Sequence, residues 1–175
     1  MVKNFLCYLF VCASQFTLTA EAQVKGEIKT AGQIYAYAQI QGDYEILLDF
    51  TYPKLIERAG GRIAMKNILK QIQDTKINKG QKLTALEFGD DIQFTTNATE
   101  VHAVVPFITV TKVPGGTITS ESNLIAVGTE SRDNWYFIET TSINEENISK
   151  VLPSWDNSLE LPYKKPPVYK EDPLQ

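Results

Sequence analysis

Apolar positions along the chain follow two periods, and the changeover lies near Ile77. Before it they recur at helical spacing. Ala31, Ile34, Tyr35 and Ala38 stand at i, i+3, i+4 and i+7, which predicts one face of an amphipathic helix over residues 27–41. Gly42 suits a helix stop because glycine accepts positive φ. Asp43 can cap a following turn whose apolar side is Ile46, Leu47 and Phe50. Pro53 makes Tyr52 a boundary, since the residue before proline avoids the helical region. Gly60-Gly61 breaks the chain again, and Met65, Ile68, Leu69 and Ile72 mark a further helix.

After Ile77 the pattern is that of strands. Lys79-Gly80 and Gly89-Asp90-Asp91 are turn signals. Residues 83–88 and 92–96 are expected to form a hairpin across the second of them. Residues 100–112 are a long β-branched run with Pro106 in the middle, which predicts a bulge or an edge. Val113-Pro114-Gly115-Gly116 is a turn. Residues 117–129 form another long strand, rich in Thr and Ser at first and apolar at Leu124 to Val127. Residues 130–134 read as a turn, 135–139 as a final strand and 145–151 as a short helix ended by Pro153. The tail from Leu161 holds four of the eight prolines and reads as extended and loosely held. Helices followed by an antiparallel meander make an α+β pattern. The expected domain spans residues 23–160, with 161–175 as its tail.

The Ala31 to Gln41 helix, then Gly42-Asp43-Tyr44, then Tyr52-Pro53, then a helix opened by Gly61, resembles the start of nuclear transport factor 2-like proteins, the cystatin-like cone folds. The likeness runs from about Glu27 to Glu139. The chain is also similar to small uncharacterised secreted proteins of bacterial envelopes, on two segments. These are Trp135-Tyr136-Phe137-Ile138-Glu139 and Leu152-Pro153-Ser154-Trp155. The resemblance implies N-terminal helices packed on a strongly curved antiparallel sheet, an open end that forms an apolar pocket in enzymes, and a sheet that serves for dimerisation. Ser131-Arg132-Asp133-Asn134-Trp135 is similar to an Asp-box hairpin, but it lacks the glycine and the usual spacing. It is read as a structural hairpin.

The first residues narrow the compartment. Lys3, a mostly apolar run from Phe5 to Phe16, and Ala20-Glu21-Ala22 before Gln23 have the form of a secretory signal peptide over residues 1–22. The rival reading is a lipoprotein signal at Cys12. There Val11 is bulky where a small residue is expected, so cleavage after Ala22 is the reading adopted. Both cysteines, Cys7 and Cys12, fall within this segment. The expected mature chain is exported, to the periplasm or beyond, without disulfide, thiol nucleophile or thiolate metal site. No later segment is apolar and long enough to span a membrane. The 17 Lys and Arg against 21 Asp and Glu give −4, and no basic run exceeds Lys164-Lys165. Phosphate backbones need a cationic surface, so nucleic acid is not an expected partner.

Chemistry is thinly represented. His102 is the only histidine, and no Gly-x-Ser-x-Gly elbow exists to complete a triad with it. Both faces of its strand are apolar. The ordinary reading is a hydrogen-bonded histidine in or beside the core. In a cone fold it could instead face the pocket as acid or base. One His and no mature Cys exclude the usual zinc sets. Gly60-Gly61 lacks a phosphate-loop pattern and reads as a tight turn. No cofactor is expected. Some enzymes with the fold that this chain resembles are isomerases, dehydratases or cyclases, which pair a carboxylate base with a Tyr or His donor. By that resemblance the donor and pocket-lining candidates are Tyr35, Tyr52, His102 and Tyr136, and the candidate bases are Asp49, Glu87 and Glu121. None sits in a matching enzyme motif. The sequence therefore points first to a non-enzymatic module for a small apolar ligand or an envelope protein. An isomerase or dehydratase using the cone pocket is the second reading. A structural role in envelope assembly through the tail is the third. The sequons at Asn97 and Asn147 carry no assignment.

Overall fold

The computed structural model describes residues 2–97, 99–129, 134–143 and 146–173, with side chains from residue 20 onward except that of Ser142. It is α+β. Four helices come first: α1 (Val2–Gln41), α2 (Tyr44–Asp49), α3 (Pro53–Arg58) and α4 (Arg62–Asn78). Six strands make one antiparallel sheet: β1 (Lys82–Phe88), β2 (Gln93–Thr96), β3 (Glu100–Val113), β4 (Gly116–Thr129), β5 (Trp135–Glu139) and β6 (Val168–Glu171). A short helix, α5 (Ile148–Val151), lies between β5 and β6. Glu130 to Asp133, which hold most of the Asp-box-like segment, lie outside the described residues, as do Asn144 and Glu145 at the expected start of α5.

The helix breaks occur where the residues demand them. Gly42 has φ 69°, and the Asp43 carboxylate accepts the Ile46 amide at 3.2 Å to cap α2. Tyr52 precedes α3 with Pro53 at its first position. Gly60 and Gly61, at φ 93° and 98°, turn the chain into α4.

The first helix is much longer than the expected 27–41. Residues 5–22 hold no proline, and the Lys25–Glu21 pair (2.8 Å) and the Gln23 to Glu27 bond (2.9 Å) support the helix across residues 21–27. Its buried face is Val24, Ile28, Tyr35 and Ala38 with half-buried Ala31, spaced alternately four and three. Ile34 falls at the flank and is 46% exposed.

The centre of the sheet is the β3–β4 hairpin, paired in unbroken register from Glu100↔Thr129 to Val113↔Gly116. Pro114 followed by Gly115 at φ 80° has the order that a type II turn requires. The expected β1–β2 hairpin does not form. Both strands instead pair with β3, β1 along Phe107 to Lys112 and β2 along Val101 to Val104, so they lie in tandem on one side of it. Pro106 sits at their junction. Its carbonyl accepts the Gly89 amide at 2.8 Å, so its nitrogen, which has no proton to donate, faces the same gap between strands. No bulge occurs there; the register shift is in β1 at Thr84. On the far side of β4, β5 pairs with Leu124 to Gly128 and β6 with Gly116 to Thr119. The sheet is therefore open, with each long central strand flanked by two short ones.

The tail is not loosely held along its whole length. Tyr169 lies over Gly116, where an added Cβ would come within 2.5 Å of its ring, and its hydroxyl donates to the Gly115 carbonyl at 3.0 Å. The Lys112–Asp172 pair at 2.6 Å secures the end.

Each face of the sheet carries its own core. Toward the helices point Val101, Ala103, Val105, Leu124, Ala126, Trp135 and Phe137, packed on Val24, Ile28, Tyr35, Ala38 and Leu47. Toward the C-terminal segment point Val104, Ile125, Val127 and Ile138, covered by Tyr52, Ile148, Leu152, Trp155 and Leu159. Strand alternation alone sorts the residues onto these two sides.

Candidate functional site

A cavity of about 230 Å³ lies between the C-terminal half of α1, α2, α4 and β5. Leu47, Leu55, Met65, Leu69, Ile72 and Phe137 give it apolar walls. Its wall on the α4 side is lightly held, because α4 contains no buried residue. What anchors α4 at its start is a set of exposed ion pairs, Arg62 to Glu45 (3.1 Å) and Asp49 (2.9 Å) and Lys66 to Glu45 (2.6 Å). Exposed pairs of this kind contribute little, because solvent screens them.

At the mouth of the cavity three polar side chains meet. The Tyr35 hydroxyl donates to Glu139 Oε1 at 3.0 Å. The Gln39 amide donates to the Tyr35 hydroxyl at 2.8 Å and to the same carboxylate oxygen at 3.2 Å. The ring of Tyr35 is buried against Phe137 at 5.0 Å, and Glu139 is exposed. Helical spacing places Gln39 one turn beyond Tyr35. Strand alternation places Glu139 on the same side as Trp135 and Phe137.

Burial raises the Tyr35 phenol well above the ordinary tyrosine value, and the neighbouring Glu139 charge adds to the rise. A folded-state value raised in this way stabilises the protein fully below the unfolded value of about 10, and the stabilisation is lost as pH climbs through the folded value. Urea denaturation between about pH 9 and about pH 11 should therefore show stability declining, and Tyr35→Phe should flatten the decline. An equal decline in the variant would exclude Tyr35 as its source.

A second cavity of about 340 Å³ adjoins the first, with Gln39, Gln73, Lys76 and Glu139 lining both. Its floor is the half of the sheet nearest the β3–β4 turn. There Thr109 and Thr111 of β3 and Ser120 and Ser122 of β4 face the helix side, beside Phe107. Thr109 stands opposite Ser120, and Phe107 opposite Ser122.

The other sequence candidates lie elsewhere. His102 is fully buried in the core beneath the C-terminal segment, on the opposite face of the sheet from the cavity. Its Nε2 lies 3.1 Å from Glu100, its ring stacks on Trp155 at 5.7 Å, and its Nδ1 has no partner among the described residues. Tyr52 and Tyr136 sit on that same side, edge to face at 6.4 Å. Burial, with Glu100 nearby, raises the Tyr52 phenol. Of the four named pocket candidates, only Tyr35 lines the first cavity. Among the candidate bases, Asp49 is paired with Arg62, Glu121 is paired with Lys165 at the edge of the second cavity, and exposed Glu87, opposite Ile108, is on the sheet face away from the helices. Among the described residues no group of three metal-ligating side chains occurs, and no helix is long and apolar enough to cross a membrane.

No protein-family model, curated protein or solved structure matches the chain. The reading of the site rests on its own geometry. Sequence reasoning missed Gln39, Glu139 and the α4 wall. The spacing of Gln39 from Tyr35, and of Glu139 from Phe137, is the local signal that could have found two of them.

Proposed function

We propose that this chain is an exported, non-enzymatic binding module that takes a small, largely apolar ligand into the cavity between α1, α2, α4 and β5. The observation that carries the reading is the pairing of an apolar chamber with a hydrogen-bonded Tyr35–Gln39–Glu139 set at its mouth. The chamber exceeds the roughly 150 Å³ that accommodates benzene in an engineered protein cavity. The cone-shaped fold of nuclear transport factor 2-like proteins belongs to the same proposal, supported by the order of one long helix, two short ones, a further helix and an antiparallel ladder. Export is supported by the residue pattern of 1–22. An assembly role has less support, because β6 engages the chain's own sheet.

Calorimetric titration with straight-chain alkanols tests the reading. Affinity should rise about fourfold per methylene, following about 0.8 kcal/mol per buried CH₂, until the chamber is full. Leu69→Trp should fill the chamber and remove binding. Alkanols that bind no better as they lengthen would overturn the proposal.

The Tyr35–Glu139 contact supports one second reading. An isomerase or dehydratase would use Glu139 to take a proton α to a carbonyl while Tyr35 donates a hydrogen bond to the enolate oxygen. Catalysed deuterium exchange into a small ketone, lost in Glu139→Gln, would decide for it.

A further inference from the structure

We propose that the two adjoining cavities are one two-chamber site, and that its ligand is an amphiphile with an alkyl tail and an uncharged polyhydroxylated headgroup such as a glycosyl unit. The inference rests on the binding reading of the first cavity and adds the chemistry of the second.

The second chamber has an unusual floor. In an antiparallel sheet the side that faces a core is apolar, and this side is apolar at Val101, Ala103, Val105, Leu124 and Ala126. Toward the β3–β4 turn the same side switches to Thr109, Thr111, Ser120 and Ser122. All four are half-buried, and none of their hydroxyls has a hydrogen-bond partner among the described residues. Being half-buried, these hydroxyls stay within reach of a ligand in the chamber. Each can both donate and accept. Across the strands such residues stand about 5 Å apart, and along them about 7 Å. That is a grid for a ligand whose own groups also donate and accept. The Gln73 amide faces the same space from α4, and Phe107 offers a flat apolar surface beside it.

Charge in this chamber is largely spent. Lys165 is paired with Glu121 at 2.6 Å, and Lys164 donates to the Thr141 carbonyl at 2.6 Å. Of the groups at the collar, Lys76 has no ionic partner among the described residues, and Glu139 of opposite sign shares the collar with it. An anionic headgroup would meet one cation and one carboxylate. A neutral polyol meets hydroxyls and amides. The collar residues line both chambers, so an amphiphile lying across them would set its tail in one and its headgroup in the other.

Titration of the full chain with n-octyl β-D-glucoside, kept below its micelle concentration, is the test, beside 1-octanol, octyl sulfate and methyl β-D-glucoside. The glucoside amphiphile is expected to bind at least about tenfold tighter than 1-octanol, with methyl glucoside weaker than both. Thr109→Val with Ser120→Ala should reduce octyl glucoside to the affinity of 1-octanol and leave 1-octanol unchanged. If 1-octanol binds and octyl glucoside binds no tighter, the headgroup chamber is refuted while the apolar reading stands. If neither binds, the apolar reading itself has failed. Octyl sulfate bound more tightly than octyl glucoside would overturn the uncharged headgroup. The ligand comparison is made on the parent chain, so it decides the matter whatever the fate of the double variant.

Discussion

Trp155→Ala is expected to cost about 3–5 kcal/mol of unfolding free energy, the range for removing a large aromatic side chain from a core. The indole is 8% exposed, stacks on His102 with the rings 16° from parallel, and joins Leu152, Ile148 and Leu159 in covering Val104, Ile125, Val127 and Ile138. The segment that carries it is irregular outside four-residue α5, so backbone ladders contribute little to holding it. The other contacts include three hydrogen bonds: Ser154 to Glu100 at 2.6 Å, Thr95 to Asp156 at 2.9 Å, and Arg58 to the Lys150 carbonyl. Two of these join exposed groups, and such bonds yield about 1 kcal/mol or less against water. Apolar burial therefore decides whether the segment stays on the sheet. In the variant, limited proteolysis should cut first between Ile143 and Leu161, and the urea midpoint should fall. A loss below about 1 kcal/mol would show that the second core does not depend on this indole.

How far the fold could be read from the sequence depends on how local the deciding interaction is. The helix breaks at Gly42, Tyr52-Pro53 and Gly60-Gly61 are settled by φ and by proline's ring, within a residue or two, and they appear where the pattern puts them. The β3–β4 hairpin is equally local, since Pro114-Gly115 sets its turn and β-branched runs flank it. The partner of β1 is not local. Gly89-Asp90-Asp91 reads as a hairpin turn, yet a 14-residue β3 is long enough to pair β1 and β2 end to end. Pro106 held the clue, because its missing donor suits the junction between two tandem strands. β6 is less legible still. Val168 to Glu171 are all exposed, and their place depends on the bare backbone of Gly116 far away in sequence, on which the Tyr169 ring rests.

The site divides along the same line. Tyr35 was identifiable because a tyrosine on an amphipathic face tends to bury its ring and leave its hydroxyl at the rim. His102 could not be placed from alternation alone. Its strand is apolar on both sides, and only the C-terminal segment, which arrives 50 residues later at Leu152 and Trp155, determines what its own side faces. The α4 wall of the cavity was visible as a helix but not as a wall. Met65 and Leu69 are half-buried while Ile68 and Ile72 are 43% and 48% exposed, so the apolar spacing marks a helix that covers space without filling it.

Phe137→Ala should be as costly as the loss of Trp155, about 3–5 kcal/mol, and should act on the cavity as well. Phe137 is 3% exposed and is the aromatic hub of the first core, with ring centroids 5.0 Å from Tyr35, 6.1 Å from Phe50 and 6.0 Å from Phe88. Its amide donates to the Phe50 carbonyl at 2.7 Å, which ties β5 to the end of α2 and survives truncation of the side chain. The backbone should therefore keep its course while the ring's volume is added to the chamber. That separates a cavity-forming substitution from one that disrupts the fold. A ligand that fills the enlarged chamber should return part of the loss, about 2.7 kcal/mol at a hundred times its dissociation constant. The parent chain, with a smaller chamber, should favour shorter alkanols. Phe137→Leu, which keeps much of the volume, should lose less and shift the preferred chain length less. The measurement is the urea midpoint of the three proteins with and without alkanols of increasing length. A Phe137→Ala protein that is destabilised but not rescued by any of them would mean that the collapsed core, and not an open chamber, occupies the space between α4 and β5.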